Sequence, residues 1–476
     1  MKFENYEAVI GLEVHAELKT SSKVCCACST AFGAAPNTQC CPVCMGLPGA
    51  MPMLNRRAVE LAVMAGVLLN CNVAPVSRID RKQYFYPDLP KAYQISQGEI
   101  PLCRNGFLEI QVGEQKKRVG IARIHLEEDA GKLIHEGRDS LIDYNRCGIG
   151  LIEIVSEPSM RSGEEAATYL RTLRALLSAC AISDCKMQEG SLRCDVNVSV
   201  RKKGSQAFGV RTEIKNLNSF AFVQKAIDYE FLRQCELLEN GGTVEPETRR
   251  FDPASGKTFV MRSKESVSDY RFLIEPDLLP ILIEDGEIAR IASQIPELPQ
   301  ARSERLSQAF GIRKADADIL VSDVSLTDYF EAVANETTAP VIALNLLLGE
   351  VLRMSEGESF ATPISAKRLG ELATLLDAGT INHSTAKKLL ARLYRADFDL
   401  TDAIEREGLA QIRDEAVLAA VVTDVLANNA RAVRDYQNGK TAAMRALQGQ
   451  AMAKTAGRAD PVLLEKLLLS ALHQEN

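Results

Sequence analysis

Two groups of side chains in this sequence have the types and spacing that do chemistry. The first lies in "KVCCACSTAFGAAPNTQCCPVCMG", which holds Cys25, Cys26, Cys28, Cys40, Cys41 and Cys44. Within it, Cys26-x-Cys28 and Cys41-x-x-Cys44 form two knuckles, separated by a stretch with the turn formers Gly33, Pro36 and Asn37. Four thiolates at that spacing satisfy tetrahedral zinc, because the short loops turn backbone amides toward the sulfurs. Cys25 or Cys40 could replace a neighbour in the set, and free buried thiols are the plainer alternative. A redox pair fits less well, since no thioredoxin-like strand–helix–strand pattern surrounds either knuckle. The reading is a structural zinc site.

The second group is acidic. Glu13, Glu127, Glu128, Asp129, Glu153 and Asp195 fall on strand-like segments, with His15 close to Glu13. A charged sheet face is ordinarily just hydrated. Glu153, however, sits in the apolar run "GLIEIV", where a lone carboxylate is costly without a cation. Arg193, Arg201, Arg211 and Lys215 recur on the polar faces, as a site for a metal and a nucleotide needs. Hard oxygen donors with water suit Mg²⁺ holding phosphates. The usual phosphate loops are missing. "ASGKT" and "NGKT" have Phe251 and Arg434 where a Walker A loop has its first glycine, and "GIG" at 148–150 lacks the later glycine of a dinucleotide fingerprint. No G-x-S-x-G elbow supports a hydrolase.

These residues need elements to position them. "VIGLEVHAEL" alternates Ile10, Leu12, Val14, Ala16 and Leu18 with Glu13, His15 and Glu17. "LRCDVNVSVR" and "VRTEIKN" repeat the design, which predicts half-buried strands of an antiparallel sheet with one polar face. A helix is expected over 162–181, with Ser162 as N-cap and acidic residues in its first turn. The first region, to about residue 295, is therefore α+β. Prolines in "SQIPELPQARSERL" mark a boundary, and the sequence beyond it reads as helical. A further shift at "EREGLAQIRDEAV" opens a last helical block. The expected domains are 1–295, 296–407 and 408–476.

The last block carries Arg431, Arg434, Lys440, Arg445, Lys454 and Arg458 against Asp435, in a chain of net charge −7. Such a patch is the standard electrostatic route to nucleic acid, although a hydrated helical face explains it equally well. With only Tyr436 interleaved, a folded RNA read by shape fits better than a single strand. No apolar run is long enough to span a bilayer. The N-terminus enters a strand pattern with no leader, so a cytoplasmic location is expected, and reduced thiols with it.

"DYNRCGIGLIEIVSEPSM", "FYPDLPKAYQISQ", "IHLEEDAGKLIHE", "MQEGSLRCDVNVSVR", "RTEIKNLNSF" and the tail's "GQAMAKTAGRADP" resemble, essentially end to end, the B subunits of tRNA-dependent aspartyl/glutamyl amidotransferases. The resemblance implies a reaction: ATP phosphorylates the side-chain carboxylate of Glu-tRNA(Gln) or Asp-tRNA(Asn), and ammonia displaces the phosphate. Ammonia would come from a glutaminase, the A subunit, with the C subunit strapping the other two into a heterotrimer. The resemblance also implies a first domain like the glutamine synthetase and guanidino kinase cradle, followed by helical and tail domains that hold the tRNA. Carried over residue by residue, the Mg²⁺ site falls on Glu13, His15, Glu128, Glu153 and Asp195. Strand alternation instead puts Glu127 on the polar face with Arg123 and His125, so the family pattern requires a bulge or strand end near Glu128. The zinc ligands fall on Cys26, Cys28, Cys41 and Cys44. Tyr84, Lys91 and Tyr93 are candidates for the pocket at the aminoacyl end. Gly150, Ile274 and Leu279 stand where the family pattern has proline, which should loosen the turns they occupy. The rival readings are a zinc-containing tRNA-binding scaffold whose chemistry belongs to a partner, and a free-standing small-molecule amide ligase.

Overall fold

The computed structural model describes residues 3–263, 270–355 and 359–474. Period-two alternation builds most of the first unit, which ends at Ala301. In strand Tyr6–Glu17 the side chains of Ile10, Leu12, Val14 and Ala16 are essentially inaccessible, whereas Glu13, His15 and Glu17 are half-buried on the other face. The strand pairs antiparallel with Leu192–Lys202 on one side and Gly150–Ser156 on the other. Outward from there the nine-stranded sheet runs through Thr212–Lys215, Glu247–Asp252 and Lys257–Ser263 at one edge. At the other edge it runs through Gln115–Glu128, Cys103–Val112 and Asn72–Val73. Every pairing in it is antiparallel except Thr212–Lys215 with Glu247–Asp252.

Helices Arg56–Leu68, Gly163–Ala179 and Phe220–Glu239 supply side chains to the same core cluster as the sheet's apolar face. Each starts where a side chain can accept orphan amide hydrogens: Asn55, Ser162 and Ser219 are the N-caps. Such caps contribute about 1 kcal/mol apiece. Each fully buried Leu or Ile adds roughly 1.5–3 kcal/mol. The burial of one face is what leaves the other free to carry charge.

The second unit starts at Arg302 and is helical. Its apolar side chains form two separate clusters, one from Leu306 to Ile404 and one from Leu418 to Leu472. Between them helix Leu400–Glu407 stops at Gly408, in the left-handed region at φ +59°, and Asp414 caps helix Glu415–Asn428. No single helix among the described residues is long and apolar enough to cross a membrane.

One expectation about local backbone is corrected. Gly150 and Ile274 occupy strands, not turns: Gly150 pairs with Glu128, and Ile274 with Asp80. Ladder hydrogen bonds hold φ there as a proline ring would elsewhere. Of the bulge or strand end expected near Glu128, the strand end is found: Gln115–Glu128 stops there in regular register, and its irregularity against Gly150–Ser156 lies at Val155/Ser156.

Candidate active site and metal centre

Register decides which polar side chains meet. His15 lies opposite both Glu153 and Arg193, and Glu153 lies opposite His125. Glu13 lies opposite Asp195, and Asn197 opposite Glu213. The polar face thus carries two groups of cation-binding side chains. In one, His15, Glu127 and Glu153 offer ligand atoms within 4.8 Å of one another; in the other, Glu13, Asp195 and Glu213 do the same.

Around the first group, His15 Nε2 stands 3.9 Å and His125 Nδ1 3.5 Å from Glu153 Oε2. Both His125 ring nitrogens are buried without a hydrogen-bond partner among the described residues. Burial, reinforced by the charge of Glu153, pushes the Glu127 carboxyl up to about 7. For Glu153 burial acts the same way, but the flanking His125, His15 and Lys82 outweigh it and bring the carboxyl down to about 2. Burial lowers His15, so its imidazole gives up its proton more readily than a free one. The three residues thus offer two carboxyls and an imidazole as donors. A divalent cation fits that donor set.

The second group is held by hydrogen bonds. Asn197 Nδ2 donates to Glu13 Oε1 at 2.9 Å, and Lys215 Nζ reaches Asp195 at 2.5 Å and Glu213 at 3.0 Å. Burial first, then the charge of Glu153, raises the Glu13 carboxyl. Beyond His15, Arg193 reaches Asp129 at 2.8 Å, and Glu17 shares a hydrogen bond with Asp129. Burial and that partner push Glu17 up to about 8.

Of the residues expected at the Mg²⁺ site, Glu13, His15, Glu153 and Asp195 share this face. Glu128 does not join them. It turns to the opposite side of its strand, where Lys91 Nζ donates to its two oxygens at 2.5 and 2.6 Å and the Ile95 amide at 2.9 Å. Of the expected bulge or strand end, the strand end is present at Glu128, and Glu127, one residue earlier, takes the polar side. Glu127 accepts from Ser96 Oγ at 2.6 Å. Glu213 and His125 were visible as polar-face residues, but nothing local marked them as neighbours of Asp195 and Glu153. Lys91 and Tyr93 line a pocket of about 250 Å³ with Glu128, and the exposed Tyr84 lies outside its lining.

The knuckles converge. Cys26, Cys28, Cys41 and Cys44 bring their sulfurs within 4.8 Å of one another. A tetrahedral ion with metal–sulfur bonds of about 2.3 Å needs sulfurs about 3.8 Å apart, so a small closure completes it. Cys25 faces Lys91 and Glu128, and Cys40 turns toward Asn145. Hydrogen bonding from Cys26 holds the Cys44 thiol down to about 4, with Lys23 assisting. Lys23 is buried, its Nζ 3.7 Å from Cys44 Sγ. These four cysteines can hold a metal ion.

The two GK[ST] sequences are turns. Gly256, at φ +67°, closes the hairpin between Glu247–Asp252 and Lys257–Ser263, and "NGKT" links helices Ala430–Gln437 and Ala442–Lys454. In the tail, Lys440 is paired with Asp435 at 2.9 Å and Lys454 with Asp424. Arg458, half-buried, donates to the Gly408 carbonyl. Arg431, Arg434 and Arg445 are exposed on the helix surfaces.

Comparison with known proteins agrees along the chain. Residues 8–289 match the GatB/GatE catalytic domain, and residues 328–472 match the GatB domain. The B subunit of the aspartyl/glutamyl-tRNA(Asn/Gln) amidotransferase of Caldicellulosiruptor saccharolyticus is 49% identical over 477 residues, covering 98% of this chain and 99% of that one. The protein of the same name from Moorella thermoacetica is 48% identical, over 98% of this chain and 100% of its own. That of Thermoanaerobacter pseudethanolicus is 50% identical, over 98% and 99%.

Proposed function

The chain belongs to the family of aspartyl/glutamyl-tRNA(Asn/Gln) amidotransferase B subunits, and from that membership and the polar-face geometry we propose that it carries the ATP-dependent step. The substrate is the side-chain carboxylate of Glu-tRNA(Gln), Asp-tRNA(Asn) or both, and the product is the amide. A carboxylate does not accept ammonia; its acyl phosphate does, because phosphate is a good leaving group. The partners are the glutaminase that supplies ammonia (the A subunit) and the smaller C subunit, in a cytoplasmic heterotrimer acting as a carbon–nitrogen ligase. The first region acts as a cradle of the glutamine synthetase and guanidino kinase kind, and residues 296–407 and 408–476 hold the tRNA.

The observation that carries the reading is the convergence of six cation-binding side chains into two groups on one sheet face. Glu13, Asp195 and Glu213 would hold one Mg²⁺, and His15, Glu127 and Glu153 another, with Glu127 in the place the family pattern assigned to Glu128. When bound, Mg²⁺ neutralises phosphate charge and orients the transferred group. Lys215 bridges Asp195 and Glu213 and offsets part of their charge, and His15 offers an imidazole nitrogen. Zinc in the Cys26, Cys28, Cys41 and Cys44 site is structural, since closed thiolate sites leave no open position for chemistry.

The test is phosphate release from γ-labelled ATP by the heterotrimer, with and without Glu-tRNA(Gln). Release that requires the charged tRNA and collapses in Glu153→Gln supports the kinase role. Equal release from variant and wild type hands the chemistry to a partner and leaves this chain a tRNA-binding scaffold.

A further inference from the structure

Register puts Glu153 between two histidines. His15 lies opposite it on strand Tyr6–Glu17, and His125 lies opposite it on strand Gln115–Glu128. Both imidazoles address the same oxygen: Glu153 Oε2 is 3.9 Å from His15 Nε2 and 3.5 Å from His125 Nδ1. The group with ligand atoms within 4.8 Å of one another is His15, Glu127 and Glu153. His125 meets that group at Glu153.

Burial sets His125 apart. Arg123, two residues earlier on the same strand face, is exposed, whereas His125 is 7% exposed. Neither of its ring nitrogens has a hydrogen-bond partner among the described residues. An imidazole shut away from water with both nitrogens unmet costs free energy that an apolar side chain would not. The gap of 3.5 Å to Glu153 is longer than the roughly 2.7–3.2 Å of an N–H···O hydrogen bond. Nδ1 therefore stops just short of the carboxylate. Carboxylates that hold a metal ion are themselves oriented by hydrogen bonds from neighbouring side chains. His125 is placed to supply that bond, because strand pairing fixes its backbone against Glu153 and close packing restricts its ring.

We propose that His125 is a positioning residue of the first cation group, donating Nδ1–H to Glu153 Oε2 and leaving the other carboxylate oxygen to the ion shared with His15 and Glu127. This rests on the function proposed above and adds the residue that orients its buried carboxylate.

The experiment titrates Mn²⁺ into the nucleotide-free heterotrimer and follows the free ion by electron paramagnetic resonance. Wild type should bind at both carboxylate groups. His125→Leu should weaken one of the two sites about 10–100-fold and leave the other unchanged. His125→Asn, whose amide nitrogen falls near the place of Nδ1, should keep most of the affinity. His125→Gln, whose amide falls near the place of Nε2, should not. In phosphate release, His125→Leu should raise the Mg²⁺ needed for half-maximal rate by the same factor without changing KM for Glu-tRNA(Gln). Three variants that bind Mn²⁺ as wild type does overturn the positioning role, and the proposed function stands as long as release still requires the charged tRNA and Glu153. Recovery in His125→Gln and not in His125→Asn assigns the contact to Nε2, and weakening of both sites in every variant assigns His125 to packing of the sheet. Either overturns the proposal. Should His125→Leu fail to fold, the asparagine and glutamine variants decide alone. Wild type that binds no Mn²⁺ overturns the proposal and the cation groups together.

Discussion

Replacing Lys91 with methionine should destabilise the first unit by about 3 kcal/mol, and the structure sets that figure. The Lys91 and Glu128 side chains are 7% and 1% exposed, and the ammonium bridges both carboxylate oxygens. Methionine keeps the apolar stem and removes the charge, so the loss is electrostatic. Breaking a buried pair from one side costs about 3–5 kcal/mol, because the remaining charge is stranded. Two features place the value at the lower end. The Ile95 amide still donates to Glu128, and the adjoining pocket of about 250 Å³ lets water reach the stranded oxygens. Three kilocalories correspond to a change of about 100-fold in the unfolding constant. Pulse proteolysis across a urea series reads that constant without requiring tryptophan, which the chain lacks. Lys91→Met/Glu128→Leu should recover most of the loss, since no buried charge is then left unpaired. A single-variant cost below about 0.5 kcal/mol, with no recovery in the double, would refute the buried-pair reasoning.

Three further outcomes follow from other sites. Wild type should copurify with a metal ion and Cys44→Ser should lose it, measured by inductively coupled plasma mass spectrometry; metal-free wild type of unchanged stability would sink the tetrathiolate site. Glu17→Gln should stabilise progressively as pH rises from about 5 to about 8. The Glu17 carboxyl is raised from 4.5 to about 8 in the fold, so the unfolded chain sheds its proton first and wild-type stability falls through that window. A thermal-shift difference that is flat with pH would contradict this. In the tail, replacing Arg431, Arg434 and Arg445 together with alanine should weaken tRNA binding and flatten its salt dependence, by about one unit of slope for each cation that meets a phosphate. Replacing Lys440 and Lys454, already paired with Asp435 and Asp424, should do much less. Filter binding at several salt concentrations separates the two.

Local pattern was enough for the elements and for most of the site's inventory. Alternation in "VIGLEVHAEL" and "LRCDVNVSVR" put Glu13, His15, Glu17, Arg193, Asp195 and Asn197 on one face, because side-chain direction in a strand repeats every two residues whatever lies alongside. The helix after Ser162 and the spacing of the cysteine knuckles were legible for the same reason: capping and chelation act within a few residues. At Glu127 and Glu128 the side chains follow the periodicity, since the pairing with Gly150 and Leu151 is regular up to the strand's end at Glu128.

What the chain could not announce locally is adjacency. Glu213 meets Asp195 because strand Thr212–Lys215 pairs at Val196 and Asn197, and His125 meets Glu153 because Gln115–Glu128 lies beside Gly150–Ser156. The choice of Cys26, Cys28, Cys41 and Cys44 over Cys25 and Cys40 is likewise a matter of which sulfurs face one another after the loop closes. Tertiary structure also pairs Lys454 with Asp424 and ties Arg458 to the Gly408 carbonyl. A strand's faces follow from bond geometry over a few residues. Which strand comes to lie beside it depends on how the whole core packs, and that is where scattered carboxylates were gathered into two groups.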